Sequence, residues 1–343
     1  MRKLLNTLFV TSEDSYLALE NENIAVMNGD EKKGQFPLAI LEGIVCFSYK
    51  GASPALMGAC AKRGIQLCFM TPRGRFLARV CGEDRGNVLL RKQQYRVSDD
   101  PAQSCLLARS FIFGKVYNTR WMLERAVRDH AMRVDVETLK KLSQQMAKQL
   151  PAIAEATDLD ALRGFEGEAS TRYFAGFDQL ILNQKEDFTF RERNRRPPLD
   201  NVNALLSFAY ALLANDCGAA LESVGLDSYV GFLHRDRPGR ASLALDLMEE
   251  LRGPLADRLA LTLINTRAIQ AKHFSRQADG AVLLNDDGRK IFLNAWQDRK
   301  RETLTHPYLK EKLYWGLVPY VQALLLARCL RGDLDGYPPF LWK

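Results

Sequence analysis

The chain has 343 residues, of which 47% are hydrophobic and 26% charged, with a net charge of +7. That is enough apolar content for one large or two ordinary domains, and the positive surplus serves solubility or attraction to an acidic partner such as nucleic acid. Seven cysteines (Cys46, Cys60, Cys68, Cys81, Cys105, Cys217 and Cys329) form no C-x-x-C pair, which argues against a zinc cluster or disulfide frame and fits reduced core thiols. The opening Met1-Arg2-Lys3-Leu4-Leu5 is interrupted by Asn6 and Thr7 and soon meets Glu13 and Asp14, without a small-residue cleavage site. No stretch reaches the ~18 uninterrupted apolar residues of a membrane span, so the expectation is a cytoplasmic protein with no membrane partner.

In chain order, Leu4 to Val10, Tyr16 to Glu20 and Asn23 to Met27 read as short strands, the last two joined by a hairpin at Asn21-Glu22. Gly29-Asp30 and Gly34 read as turn punctuation, and Leu38 to Phe47 as a further strand. Ser53 as N-cap and Pro54 at the first helical position predict a helix running to about Arg63 and stopped by Gly64. Ile65 to Met70 and Arg75 to Val80 predict a hairpin turning at Thr71-Pro72-Arg73-Gly74. Beyond that the pattern is helical: Ala102 to Arg133, Val136 to Lys148, Leu159 to Leu182, Val202 to Asn215, and a last helix from Thr305-His306-Pro307 to about Arg331. A small hairpin is expected around Asp279-Gly280 and Asp286-Asp287-Gly288. The predicted architecture is α+β: a β-rich domain over 1–86, a polar linker over 87–100 containing Val97-Ser98-Asp99-Asp100-Pro101, and a large helical domain over 101–343.

Three places carry candidate chemistry. Leu162, Phe165, Ala169, Tyr173, Phe177 and Leu180 recur at helical steps, and Glu166 falls on that apolar stripe beside Gly167. A carboxylate there needs a cation or a shifted protonation state. Of the four histidines, His130 reads as solvated, His273 has no evident partner, and His306 beside Pro307 reads as a cap or packing group. His234 differs: it lies in a loop, Gly231-Phe232-Leu233-His234-Arg235-Asp236-Arg237-Pro238-Gly239-Arg240, rich in Gly, Pro and Arg. Next comes a helical segment, Ser242 to Arg252, with Leu243, Leu247 and Leu251 as its buried stripe and Asp246, Glu249 and Glu250 as close acids. Those acids are either a solvated face or half of a metal site.

Glu166, His234 and Glu249, with Asp246 behind them, supply one imidazole and two or three carboxylates. That donor set suits Mg²⁺ or Mn²⁺, with the imidazole favouring Mn²⁺. Arg191, Arg193, Arg195 and Arg196, and then Arg235, Arg237 and Arg240, match phosphate oxygens, or else form an ordinary surface paired to Glu192 and Asp236. Tyr173 and Tyr210 read as core aromatics. No Walker loop, dinucleotide fingerprint or G-x-S-x-G elbow occurs, which disfavours phosphate-loop NTPases, dehydrogenases and α/β hydrolases.

Gly164-Phe165-Glu166-Gly167-Glu168-Ala169 with Tyr173-Phe174, Arg195-Arg196-Pro197-Pro198-Leu199-Asp200-Asn201-Val202-Asn203, Gly231-Phe232-Leu233-His234 and Ser242-Leu243-Ala244-Leu245-Asp246-Leu247-Met248-Glu249 together resemble the CRISPR-associated Cas-one family over essentially the whole chain. The resemblance, nearest to members of type I systems, implies metal ligation by Glu166, His234 and Glu249. Asp246 becomes a fourth ligand or a supporting group. Tyr210 falls on an active-site tyrosine position of some members. It also implies a β-domain that forms a homodimer, a helical catalytic domain, and the small Cas-two protein bridging two such dimers. The reaction implied is attack of a protospacer 3′-hydroxyl on a repeat-end phosphodiester, needing neither ATP nor a protein nucleophile. Two alternatives stand beside it: a stand-alone branched-DNA or repair nuclease, and a non-catalytic DNA-binding scaffold.

Overall fold

The computed structural model describes residues 6–71, 76–82 and 88–343. The chain divides into two compact units, Met1–Arg85 with Leu284–Glu302 and Tyr314–Leu317, and Gly86–Leu283 with Thr303–Leu313 and Val318–Lys343. A small β-rich region thus precedes a mostly helical one, as the α+β expectation required.

In the first unit, strands β1 (Thr7–Val10), β2 (Ser15–Glu20), β3 (Asn23–Asn28), β4 (Glu31–Pro37) and β5 (Gly43–Cys46) are followed by helix α1 (Pro54–Arg63), then β6 (Gln66–Met70) and β7 (Phe76–Val80). One sheet has the order β1-β5-β6-β7 and the other β2-β3-β4. The β2–β3 turn places both Asn21 and Glu22 at positive φ, the twist a two-residue hairpin requires. Ser53 Oγ accepts from Leu56 N at 3.2 Å to start α1, and Gly64, at φ +66°, ends it. Leu17, Ile24, Ile44, Leu56, Cys60 and Leu67 are fully buried between these elements.

The second unit contains α2 (Val88–Asp99), α3 (Pro101–His130), α4 (Val136–Glu155), α5 (Leu159–Phe177), α6 (Asn201–Ser223), α7 (Ser242–Glu249) and α8 (Arg258–Asn265). Strands β8 (Phe274–Arg276) and β9 (Val282–Leu284) come next, then α9 (Asp286–Arg301), which belongs to the first unit, β10 (Thr303–Thr305), β11 (Lys312–Tyr314) and α10 (Val318–Leu330). Helices α3 to α6 each begin on an aspartate, Asp100, Asp135, Asp158 or Asp200, whose carboxylate accepts an orphan first-turn N–H. Gly176 lets α5 lie against its neighbours: a Cβ there would stand 3.0 Å from Leu139 and 3.3 Å from Leu123. Helix α6 is long and apolar enough to cross a membrane, yet 72% of its most apolar window is buried inside the protein, as in a core helix.

Several expectations need correction. The segment taken as a linker, 87–100, is mostly the helix α2. Its Gln94 is fully buried; Nε2 donates to Asp227 O and Val230 O, and Oε1 accepts from Asp227 N, at 2.8–2.9 Å. Nor does the helical part run unbroken over 101–343, because α9 and the turn Trp315–Leu317 fold with the first unit. The Gly34 segment is not a turn but β4, an exposed edge strand whose charged residues hide any alternation; its register against β3 shifts at Val26/Met27. Leu38–Ile40 is a 3₁₀ turn, so the predicted strand there is only β5. Asp286-Asp287-Gly288 opens α9, capped by Asn285, rather than closing a hairpin. The last helix starts at Val318, because residues 303–314 form a short β-ribbon in which Nδ1 of the buried His306 accepts from Leu309 N. His273 does have a partner: its Nδ1 accepts from Gln270 N at 3.1 Å. The predicted turn at 72–74 and residues Leu4 and Leu5 of the first predicted strand lie outside the described residues.

Gln94 generates the first prediction. Gln94→Ala removes the partner of three half-buried backbone groups and is expected to cost about 1–3 kcal/mol of stability, read as a lower midpoint of urea unfolding with an unchanged slope.

Candidate active site

The His234 loop is shaped by one buried acid. Asp246, fully buried in α7, accepts at Oδ2 from Phe232 N (2.7 Å) and Leu233 N (3.0 Å), and at Oδ1 from His234 N (3.1 Å). The same Oδ1 lies 2.6 Å from His234 Nδ1. A carboxylate at that distance accepts a hydrogen bond from Nδ1–H, which turns Nε2 toward the site. Gly231 permits the approach, since a Cβ there would sit 2.9 Å from Asp246 Oδ2 and 3.0 Å from the Ser242 backbone. Arg163 Nη2 donates to Leu233 O at 2.7 Å, so α5 holds the loop from the other side. With both oxygens engaged, Asp246 orients the imidazole.

Glu166 and Glu249 meet on the remaining side of the site, and the cation between them is Lys115 of α3. Its Nζ contacts Glu166 Oε1 and stands 2.8 Å from Glu249 Oε2. Glu249 and Lys115 side chains are only 3% and 7% exposed, Glu166 29%. Arg252, one turn beyond Glu249, reaches its Oε1 at 3.1 Å. Burial pushes the Glu249 carboxyl up, but Arg252, Lys115 and His234 outweigh it and hold it at about 2. Ser170 Oγ donates to Glu166 Oε1 at 2.9 Å. The acids of α7 are therefore not a solvated face.

Behind these groups Tyr210 and Tyr173 meet on an acid that the sequence does not single out, Asp257. Asp257, in a π-helical segment spanning Arg252–Asp257, accepts from Tyr210 OH (2.6 Å) and Tyr173 OH (3.0 Å). Burial raises its carboxyl against the pull of both hydroxyls, and burial likewise raises both phenols. Guanidiniums of Arg193 and Arg252 lie 5.3 and 4.9 Å from the Tyr210 ring centroid. Lys115, Ser170, Tyr173, Tyr210, Arg252 and Asp257 border a cavity of about 20 Å³, room for roughly one water. π-helical turns recur at functional sites, a signal that spacing by 3.6 does not expose.

The predicted phosphate-binding arginines are not one cluster. Arg195, Arg196, Arg235 and Arg237 are exposed, whereas Arg240 turns inward and binds Arg235 O, closing the loop on itself. Arg235 also pairs with Asp160 at 3.0 Å. His234, Arg235, Arg163, Asp160 and Ser98 line an open cleft of about 380 Å³, the broad approach to the site.

For a divalent cation, these donors fit in kind: two carboxylates and an imidazole whose Nε2 has no hydrogen-bond partner among the described residues. Glu249 Oε2 is buried, and Lys115 Nζ stands 2.8 Å from it. Among the described residues, however, no three His, Cys, Asp or Glu side chains converge as an ion cage. Lys115 stands between two of the three donors.

Residues 8–298 match the family model for CRISPR associated protein Cas1. The chain is 52% identical, over the full length of both, to CRISPR-associated endonuclease Cas1 2 of Rhodospirillum rubrum. Its fold is similar to a casposase bound to integration product (TM-score 0.83, 22% identity, 98% of this chain and 93% of that one). It is also similar to a Cas6-RT-Cas1–Cas2 complex (TM-score 0.82, 22% identity, all of this chain and 36% of that one).

Two predictions follow from the geometry. Gly231→Ala pushes a methyl into Asp246 and the Ser242 backbone, and is expected to cost about 1–3 kcal/mol in urea unfolding and to broaden the His234 imidazole resonances. The second concerns Glu250, which accepts from Tyr337 OH (2.5 Å), Gln322 Nε2 (2.9 Å) and Phe340 N (2.7 Å), while burial still pushes its carboxyl up to about 7. A folded-state value above the unfolded one makes this contribution complete below pH 4.5 and lost as pH rises through 7. Stability is expected to fall by on the order of 2–3 kcal/mol across that window. In Glu250→Gln that share of the slope disappears, which denaturation at pH 5 and pH 8 measures.

Proposed function

Because the chain belongs to the Cas1 family of CRISPR-associated proteins, we propose that it is a divalent-metal-dependent DNA endonuclease and integrase that inserts protospacer DNA into a CRISPR array. The observation that carries this reading is Glu249: a fully buried carboxylate, ionised, beside Glu166 and within the field of His234. Such an acid is costly in a protein interior and is retained where it serves cations.

Glu166, His234 through Nε2, and Glu249 are the residues proposed to hold Mg²⁺ or Mn²⁺. Bound there, the ion supplies polarisation of a phosphodiester and activation of the attacking hydroxyl or water. Asp246 holds the imidazole by Nδ1 and fixes its direction, leaving Nε2 for the ion. Arg252 and, in the metal-free site, Lys115 hold Glu249 charged, Ser170 aims Glu166, and Tyr210 with Asp257 braces Arg252 from behind. The exposed Arg195, Arg196, Arg235 and Arg237 bind the DNA backbone, Arg235 from the wall of the cleft. No side chain is asked to form a covalent intermediate; the buried thiols Cys46 and Cys60 are pushed up to about 11, far from nucleophilic thiolates.

DNA and a small Cas2 protein are the partners proposed. This rests on the family, and on the fold shared with a casposase bound to integration product and with a Cas6-RT-Cas1–Cas2 complex. A homodimer formed through the β-rich unit is the assembly proposed.

With Mn²⁺, Cas2 and a repeat-containing duplex, the protein is expected to join a short duplex bearing 3′-hydroxyl ends. Chelation with EDTA should stop the reaction. Glu166→Ala, His234→Ala and Glu249→Ala should each reduce joining by about a thousandfold with the fold retained by circular dichroism. Asp246→Asn is expected to cost roughly 10–100-fold, because the ligand remains but its orientation is lost. Full joining by all three alanine variants refutes the assignment.

A further inference from the structure

Charge balance around Glu166 and Glu249 is already complete without a metal. Two carboxylates face two cations, Lys115 and Arg252, in a site where Glu249 and Lys115 are almost wholly excluded from water. Adding a divalent ion to that set leaves an excess of two positive charges in a region of weak screening. One resident cation must give way.

The two cations are not equally held. Arg252 is half-buried, lies under the Tyr210 ring at 4.9 Å, and its planar guanidinium reaches Glu249 Oε1 at 3.1 Å. Lys115 is different. Among the described residues the polar contacts of its Nζ are the two carboxylates, and no aromatic ring stacks on it as Tyr210 does on Arg252. Its partner Glu166 is the more exposed of the two acids, so the path of the ammonium toward solvent is short. An ammonium on a four-carbon flexible stem moves where a stacked guanidinium does not.

We propose that Lys115 is a resident counter-ion in the place a divalent ion takes, and that metal binding expels its ammonium from between Glu166 and Glu249. This rests on the metal-ligand reading above. The free site is then stable but binds metal weakly. A DNA phosphate, which can receive the expelled ammonium, tightens metal binding, and by linkage metal tightens DNA binding. Lys115 is thus a positioning residue that couples metal loading to the arrival of nucleic acid.

The test is Mn²⁺ titration of the full-length protein without DNA, followed by electron paramagnetic resonance of the free ion. Lys115→Met is expected to bind Mn²⁺ roughly tenfold tighter than the wild type, since a close charge pair no longer opposes it. Its metal-free melting temperature should be lower, and Mn²⁺ should raise it by more than in the wild type. Lys115→Arg, which keeps the cation, should remain near the wild-type affinity. A short duplex should tighten Mn²⁺ binding in the wild type and much less in Lys115→Met. An unchanged or weaker Mn²⁺ affinity in Lys115→Met, with the wild type binding normally, overturns the proposal while leaving the metal site standing. Absence of Mn²⁺ binding in wild type and Lys115→Met alike overturns both. Independently of any variant, Lys115 should react faster with an amine-labelling reagent when Mn²⁺ is present, as read by mass spectrometry; protection unaffected by Mn²⁺ counts against the expulsion.

Discussion

Four hydrogen bonds to Asp246 organise the site more than any other set of contacts. Three come from consecutive backbone amides, Phe232, Leu233 and His234, and the fourth from the His234 ring. A buried carboxylate left alone would be protonated or would drive the loop outward. Surrounded by these donors it is satisfied, and the loop has no comparable alternative arrangement. The absent Cβ of Gly231 is what lets the backbone come that close. The direction of the imidazole is therefore a property of the helix α7 and not of the loop, whose tip is built from exposed residues.

The same logic extends inward as alternating charge. Glu249 faces Lys115 and Arg252, Arg252 and Arg193 flank Tyr210, and Tyr210 and Tyr173 both donate to Asp257. Each shell neutralises the next, so that removing one member exposes its neighbour rather than simply deleting a contact. Such networks contribute little net stability compared with apolar packing, but they keep a defined geometry around ionised groups.

Much of this was legible in the sequence where a local rule suffices. Ser53-Pro54, Asn21-Glu22 and the aspartates before the long helices announce caps and turns through chemistry confined to a few residues. Glu166 stood out because a charge on an apolar stripe conflicts with its surroundings. Lys115 carried the same conflict unnoticed: it lies four residues from Phe111, three from Ile112 and four from Thr119, all buried. Two opposite charges on the apolar stripes of two helices are a signal that they meet. The edge strand β4, by contrast, has no buried face to betray it, and the helix α2 was hidden by a polar sequence whose one buried glutamine serves backbone groups more than 130 residues away. The shift of the last helix to Val318 depends on the ribbon through His306, again a tertiary matter.

The pairs that define the site join Lys115 to Glu166, 51 residues on, and Asn118 to the carbonyl of Glu250, 132 residues on. Contacts so distant along the chain close only after the intervening helices have packed, because the entropy of closing large loops must be met before any such contact forms. Partly folded forms of the chain therefore hold separate acids and a separate histidine, each no different from a surface residue. The capacity to act on a phosphodiester therefore requires the tertiary packing to be in place, which makes the chemistry itself a gauge of conformational integrity.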